Sequence, residues 1–459
     1  MAPLPVPRLG PCAAALLALA AGGCSWSRFG EVTENTPVVR LERPDNMNTG
    51  FGVVLASGNL DGRSLLLVGG EPGTSPAALF DLGRDETPNL DTIDSHFCNN
   101  AQGKCFLGSS MVYLPHTVTS AEQDHRPTDS CVALGLGKPN FGNYGVFFEC
   151  QDQTAYSRPV IKSYESDVKF ALDHDQNETI AVAGDGADDP VLVVGAPAAL
   201  GAGRAWYYAA GTDEPIELKP PQKTADGYGT RVAAVPAGAG RSLLAVAAPN
   251  AGQLHLFRTE GSVATYLGCL GGTPGFGRTL ATGFVSTKGS APPELLVADY
   301  DAVFVLETEP LAALPAATNV SCTLAALPPE TLRNSFGCGS TKDTGDCSSS
   351  DFGAALAVAD VDGDDDGEVL VGAPQMAVYG EHGVGAILVY DIDSPGDGAL
   401  SDVRFVASGK TGDALGGAVA AGSNGSRDII VGGEPKSGQV SLHYCSSLVS
   451  PAMGGTRCE

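Results

Sequence analysis

Six carboxylates fall within nine residues of this chain: Asp360, Asp362, Asp364, Asp365, Asp366 and Glu368. Five of them, Asp360, Asp362, Asp364, Asp366 and Glu368, occupy alternate positions. Calcium takes about six to eight oxygens. A tight loop with carboxylates at its first, third, fifth and ninth positions and a main-chain carbonyl at the seventh can wrap one ion. In a folded turn these charges repel one another unless a cation neutralises them. The alternative is a solvated acidic turn, and the alternate spacing favours metal.

The elements around the loop would hold it in place. Phe352-Gly353 opens a small-residue run, the acidic loop follows, an apolar run ends in Gly372-Ala373-Pro374, and a second apolar run reaches Tyr390. Runs rich in Val, Leu and Ile between Gly and Pro predict strands. In order and content the unit resembles the FG-GAP repeat of the integrin α-subunit β-propeller. It departs from that pattern at Asp365, where the family usually has Gly, and at Glu368, where it usually has Asp. Neither change removes an oxygen ligand, although Asp365 lacks the conformational freedom of Gly. The resemblance implies one calcium ion in this repeat, held by Asp360, Asp362, Asp364, Asp366 and Glu368.

Weaker copies recur along the chain. Aromatic-Gly or Leu-Gly pairs stand at Phe51-Gly52, Leu107-Gly108, Tyr228-Gly229, Phe276-Gly277 and Leu415-Gly416, and strand ends of the Gly-Ala-Pro type place their key residue at 69, 137, 195, 247, 298, 372 and 432. Recurrence at this length signals a repeat architecture whose units must stack to bury their sheets. The expected fold is all-β: a seven-bladed β-propeller over 37–459. An isolated strand at Pro37–Glu42 is expected to complete the last blade and remove an open sheet edge. In such blades the acidic loop lies on one face, and the connections before the first strand and after the second lie on the other. Met376, Tyr379, Glu381 and His382 are expected on that second face as a ligand-binding loop.

The N-terminus carries a targeting signal. Arg8 precedes an apolar run from Ala13 to Ala21, and Ala21-Gly22-Gly23-Cys24 resembles a bacterial lipoprotein signal. Residues 1–23 would then be removed, Cys24 lipidated, and 24–36 left as a tether. The expected location is the cell envelope, in the outer membrane facing the periplasm or the cell surface, with the lipid as the membrane link. Besides Cys12 and Cys24 there are ten cysteines, which in an exported chain predict disulfides. Pairing neighbours gives Cys98–Cys105, Cys131–Cys150, Cys269–Cys322, Cys338–Cys347 and Cys445–Cys458, although sequence leaves the connectivity open.

A formal net charge of −26 argues against nucleic-acid partners. The seven histidines are scattered, and neither an HExxH nor a GxSxG motif occurs. The leading expectation is a non-catalytic binding or adhesion module that is stabilised by calcium and presents one loop-rich face to a glycan or protein. The other readings are a glycan-acting hydrolase with a cleft at the axis and a periplasmic assembly scaffold.

Overall fold

The computed structural model describes residues 39–41, 43, 50–60, 63–70, 78–82, 89–92, 111–114, 131–138, 143–152, 155–156, 160–164, 180–183, 191–197, 203–209, 215–221, 227–238, 240–285, 292–318, 322, 329–338, 350–360, 366–377, 383–390, 392, 403–408, 412–423 and 428–444. The described strands form seven antiparallel sheets, six of four strands and one of five. Within each sheet the chain runs mainly from neighbour to neighbour, as short Gly- and Pro-bounded runs dictate.

Numbered in chain order, the sheets begin with inner strands Val54–Leu60, Met111–Leu114, Ile180–Ala183, Arg231–Pro236, Thr279–Gly283, Ala355–Ala359 and Ala418–Ser423. Each inner strand neighbours the next, and the seventh neighbours the first. Six of the seven line a common cavity of about 330 Å³. Small residues such as Ala233, Ala281, Ala357 and Ala420 let the strands converge there. Second strands such as Val191–Ala196 and Glu368–Ala373 are buried along their whole length, because a sheet covers each side.

The expected isolated strand is present as Val39–Leu41. It pairs antiparallel with Gln439–Tyr444, placing Arg40 opposite Ser441, and so forms the fourth strand of sheet seven. The two ends of the described chain therefore share one sheet, whose open edge is covered.

The repeated motif has a packing explanation. Phe51, Tyr228, Phe276, Phe352 and Leu415 are buried and join apolar clusters that draw on adjacent sheets, as Phe352 does with Val303, Val305 and Tyr390. Burying each such side chain contributes about 1.5–3 kcal/mol. The glycine after this buried side chain has a left-handed backbone, φ 91° at Gly416, and its amide donates to the carbonyl of the key residue of its own sheet, here Gly433. A Cβ on Gly372 would strike the Gly416 carbonyl, and one on Gly433 would strike that of Gly52. This close approach between sheets is what the paired glycines permit. It also corrects the seventh key position: Gly433, paired with Ala418, matches Gly372, paired with Ala355, so the motif lies one residue later than Gly432.

Cys269–Cys322 forms, with a Cα–Cα distance of 4.6 Å, and links the outer strand of sheet four to the insertion before the last strand of sheet five. Cys131 and Cys150 are directly opposite in the hairpin of sheet two, as expected for that pair. Cys338 is disulfide-bonded, and Cys98, Cys105, Cys347, Cys445, Cys458 and Cys24 lie outside the described residues. No helix among the described residues is long and apolar enough to cross a membrane.

Candidate functional site

The two ends of the sheets differ chemically. At one end, Ala359 faces Glu368 across a hairpin, so the acidic segment 360–367 is its connection. Glu368 is buried, while Asp360 and Asp366 are partly exposed. Asp362 and Asp364 lie outside the described residues. Among the described residues no three His, Cys, Asp or Glu side chains gather as a metal group.

At the other end, where the inner strands begin, a cavity of about 290 Å³ opens among sheets one, four, five, six and seven. Its polar lining comprises Arg231, Thr279, Asp351, Gln375 and Lys436. Thr279 is held by Oγ1 donating to the Gly353 carbonyl at 2.7 Å. Arg231 is buried and donates from Nη1 to the Thr230 carbonyl at 2.9 Å. Gln375 and Lys436, which follow the second strands of sheets six and seven, are exposed.

The rim between sheets five and six holds a charged pair. Arg278, the residue after the Phe276-Gly277 pair, donates from Nη2 to Asp351 Oδ1 at 2.5 Å. Asp351 precedes Phe352-Gly353 and has φ 58°, a left-handed conformation that Gly50, Gly227 and Gly275 fill in repeats one, four and five. A non-glycine residue there is held at a cost of about 1–2 kcal/mol. The Arg278 guanidinium also lies 4.4 Å from the centre of the Tyr300 ring.

Of the residues expected on the ligand loop, Met376 is fully buried in the core shared by sheets five and six, which corrects its assignment to the binding face. An unbranched apolar chain fills that gap between sheets. Tyr379, Glu381 and His382 lie outside the described residues. Arg231, Arg278, Tyr300 and Asp351 were not singled out in the sequence. Their signal was position: each is within two residues of a motif element.

Residues 352–390 match the FG-GAP repeat family, so the unit centred on the acidic loop is an FG-GAP repeat. No curated protein is detectably similar in sequence. Among solved structures, a lectin, BP39L, from Burkholderia pseudomallei aligns at 12% identity with a TM-score of 0.49, covering 85% of this chain and 94% of the lectin. The six-bladed fungal Aleuria aurantia lectin aligns at 11% and 0.39, covering 80% and 98%. The GH93 α-L-arabinofuranosidase of Fusarium graminearum aligns at 10% and 0.42, covering 90% and 99%. At these identities and scores the likenesses carry no argument about ligand or activity.

Proposed function

We propose that the chain is a non-catalytic binding module of the cell envelope: a seven-bladed FG-GAP propeller, anchored by lipid at Cys24 and stabilised by one calcium ion in the sixth repeat, that presents its channel mouth to a glycan or protein. The blade count rests on the seven sheets and the cyclic order of their inner strands. One observation supports the binding reading most: a cavity of about 290 Å³, whose mainly apolar lining includes Arg231, Thr279, Asp351, Gln375 and Lys436, opens at the end of the sheets away from the acidic loop. Glycoside hydrolysis ordinarily needs two carboxylates flanking the bond. Among the described residues lining the mouth there is one, Asp351, and Arg278 holds it.

The test is binding of the purified protein to arrays of cell-surface glycans and matrix proteins, with Gln375→Ala and Lys436→Ala beside the wild type. The expected result is capture without turnover, weakened by both substitutions. Release of a cleaved glycan would make the chain a hydrolase. Capture indifferent to both substitutions would move the site away from the mouth.

A further inference from the structure

We infer that the outer edge of sheet four is a self-association surface, kept closed by the Cys269–Cys322 disulfide and opened to a second copy of the chain when that bond is reduced. The outermost strand of a sheet has unpaired backbone donors and acceptors and must be protected from pairing with another chain. Six sheets have a charged residue in that strand: Asp91, Lys162, Glu217, Arg333, Arg404 and Arg40, in sheets one, two, three, five, six and seven. Sheet four has none. Its outermost strand, Val263–Gly271, reads VATYLGCLG over nine residues, and Val263 is 60% exposed. An uncharged, largely apolar edge of this length without proline is a pairing hazard.

The difference extends into the core. Sheets five and six place Arg333 and Arg404 in a bulge of the outermost strand, and buried acids, Glu294 and Glu368, four residues before their key positions. Sheet four has the same bulge with Leu267 in it, and Leu243 in the place of the acid. Both leucines are buried in one cluster with Leu311, which belongs to the insertion 307–331 between the last two strands of sheet five. Sheet four thus has a cover where the other sheets have charge.

The cover is fastened twice. Its first half is held by packing: the helix Thr308–Ala312 buries Leu311, and Arg258 Nη1 donates to the carbonyls of Ala312 and Leu314 at 2.8 and 3.4 Å. The Ala317 amide then donates to the Tyr266 carbonyl at 2.9 Å, satisfying one acceptor of the edge. Farther along, Cys322 forms a parallel bridge with Cys269 and is disulfide-bonded to it. A Cβ on Gly271 would strike the Cys322 carbonyl, so the edge admits a second backbone there because the residue is glycine.

Cys322 is half-buried, which leaves the bond open to a dithiol reductant. The S–S bond would break, Cys269 and Cys322 would become thiols, and the dithiol would close to a disulfide. The helix would remain packed while Leu267–Gly271 lost its cover. A second copy fits the bared edge because its own uncharged strand can pair with it antiparallel about a twofold axis, with no like charges opposed.

The experiment is sedimentation velocity with amide hydrogen exchange on the full chain, wild type against Cys322→Ser. At low concentration the amides of 267–271 should exchange at least about tenfold faster in the variant, with Leu311 and Ala312 unchanged. At high concentration the variant should gain a dimer that the wild type lacks, and those amides should regain protection. Val263→Lys, which places a charge on the edge opposite Glu260, should remove that dimer from the Cys322→Ser chain. If Cys322→Ser does not fold, mild reduction of the folded wild type, with the released thiols identified as Cys269 and Cys322 by mass spectrometry, should give the same species. Equal protection of 267–271 in both chains, or a reduction that opens other disulfides and leaves this one intact, would overturn the closure. Exposure without a concentration-dependent dimer, or a dimer indifferent to Val263→Lys, would overturn the self-association surface.

Discussion

Glu294 in sheet five and Glu368 in sheet six occupy the same place, four residues before the key positions Ala298 and Gly372, and both are buried. In sheet five the charge has partners within the protein. Glu294 Oε2 accepts the Val285 amide at 2.9 Å, and its Oε1 lies 3.6 Å from Arg333 Nη1, which also reaches Glu307 Oε1 at 3.3 Å. Arg333 is the extra residue of a bulge between the partners of Val305 and Leu306. Sheet six repeats that bulge, with Arg404 as its extra residue between the partners of Val389 and Tyr390. The backbones agree; the connecting loops do not. Residues 284–293 contain no carboxylate, whereas 360–367 add five aspartates. The connection in sheet six therefore has five negative charges that the connection in sheet five lacks. Under the proposed function, the same scaffold relies on an arginine in one repeat and on an outside cation in the next.

The largest expected effect comes from breaking the internal partnership. Arg333→Ala would leave Glu294 buried without its cation, and breaking a buried ion pair typically costs about 3–5 kcal/mol. Urea denaturation should show a loss of that size, and adding Glu294→Gln should restore part of it. A midpoint unchanged by Arg333→Ala would mean that the Val285 amide and the other neighbours of Glu294 suffice without the arginine.

Next comes the outside cation. A ligand that binds only the folded state at about a hundred times its Kd stabilises by about 2.7 kcal/mol. Calcium should therefore raise the melting temperature and EDTA should lower it. Asp362→Ala with Asp364→Ala should abolish the difference, whereas Arg333→Ala should leave it intact. A melt indifferent to EDTA would remove calcium from the sixth repeat and with it the contrast between the sheets.

The contrast shows what could be read from sequence. Phe352-Gly353 and Gly372-Ala373-Pro374 were legible because close backbone contact between sheets admits few residue types. The closing strand at Val39–Leu41 was legible because a strand preceding the first motif needs an edge to pair with. The shift from Gly432 to Gly433 was not, since two adjacent glycines satisfy the pattern equally and only strand register distinguishes them. Met376 was misplaced for a related reason: a loop position says nothing about whether a side chain turns inward. The Arg278–Asp351–Tyr300 group was hidden because its members are 73 residues apart at the ends of the pair and meet only when sheets five and six stack.

Acid separates the two sheets from the rest of the molecule, with a smaller effect. Ordinary carboxylates stay charged until the pH falls to about 4, so stability lost at milder acidity must come from other groups. His255 and His443 are both buried. Burial lowers each from the ordinary histidine value to about 4, with nearby Arg40 adding to the shift at His443. His443 Nε2 lies 3.2 Å from Ser441 Oγ, on the strand that receives Val39–Leu41, so its protonation would place a second cation beside Arg40 at the closing seam. The folded pKa is below the unfolded one, so the unfolded chain takes up the proton first. The stabilisation is full above about pH 6.5 and is lost as the pH falls towards 4, by about 2 kcal/mol per histidine at pH 5. In saturating calcium, denaturation midpoints should begin to fall below about pH 6.5. His443→Gln should remove roughly half of that early loss and leave the later, carboxylate-dependent fall unchanged. If the wild type and His443→Gln lose stability in parallel from pH 7 to 5, the seam is not acid-sensitive through His443.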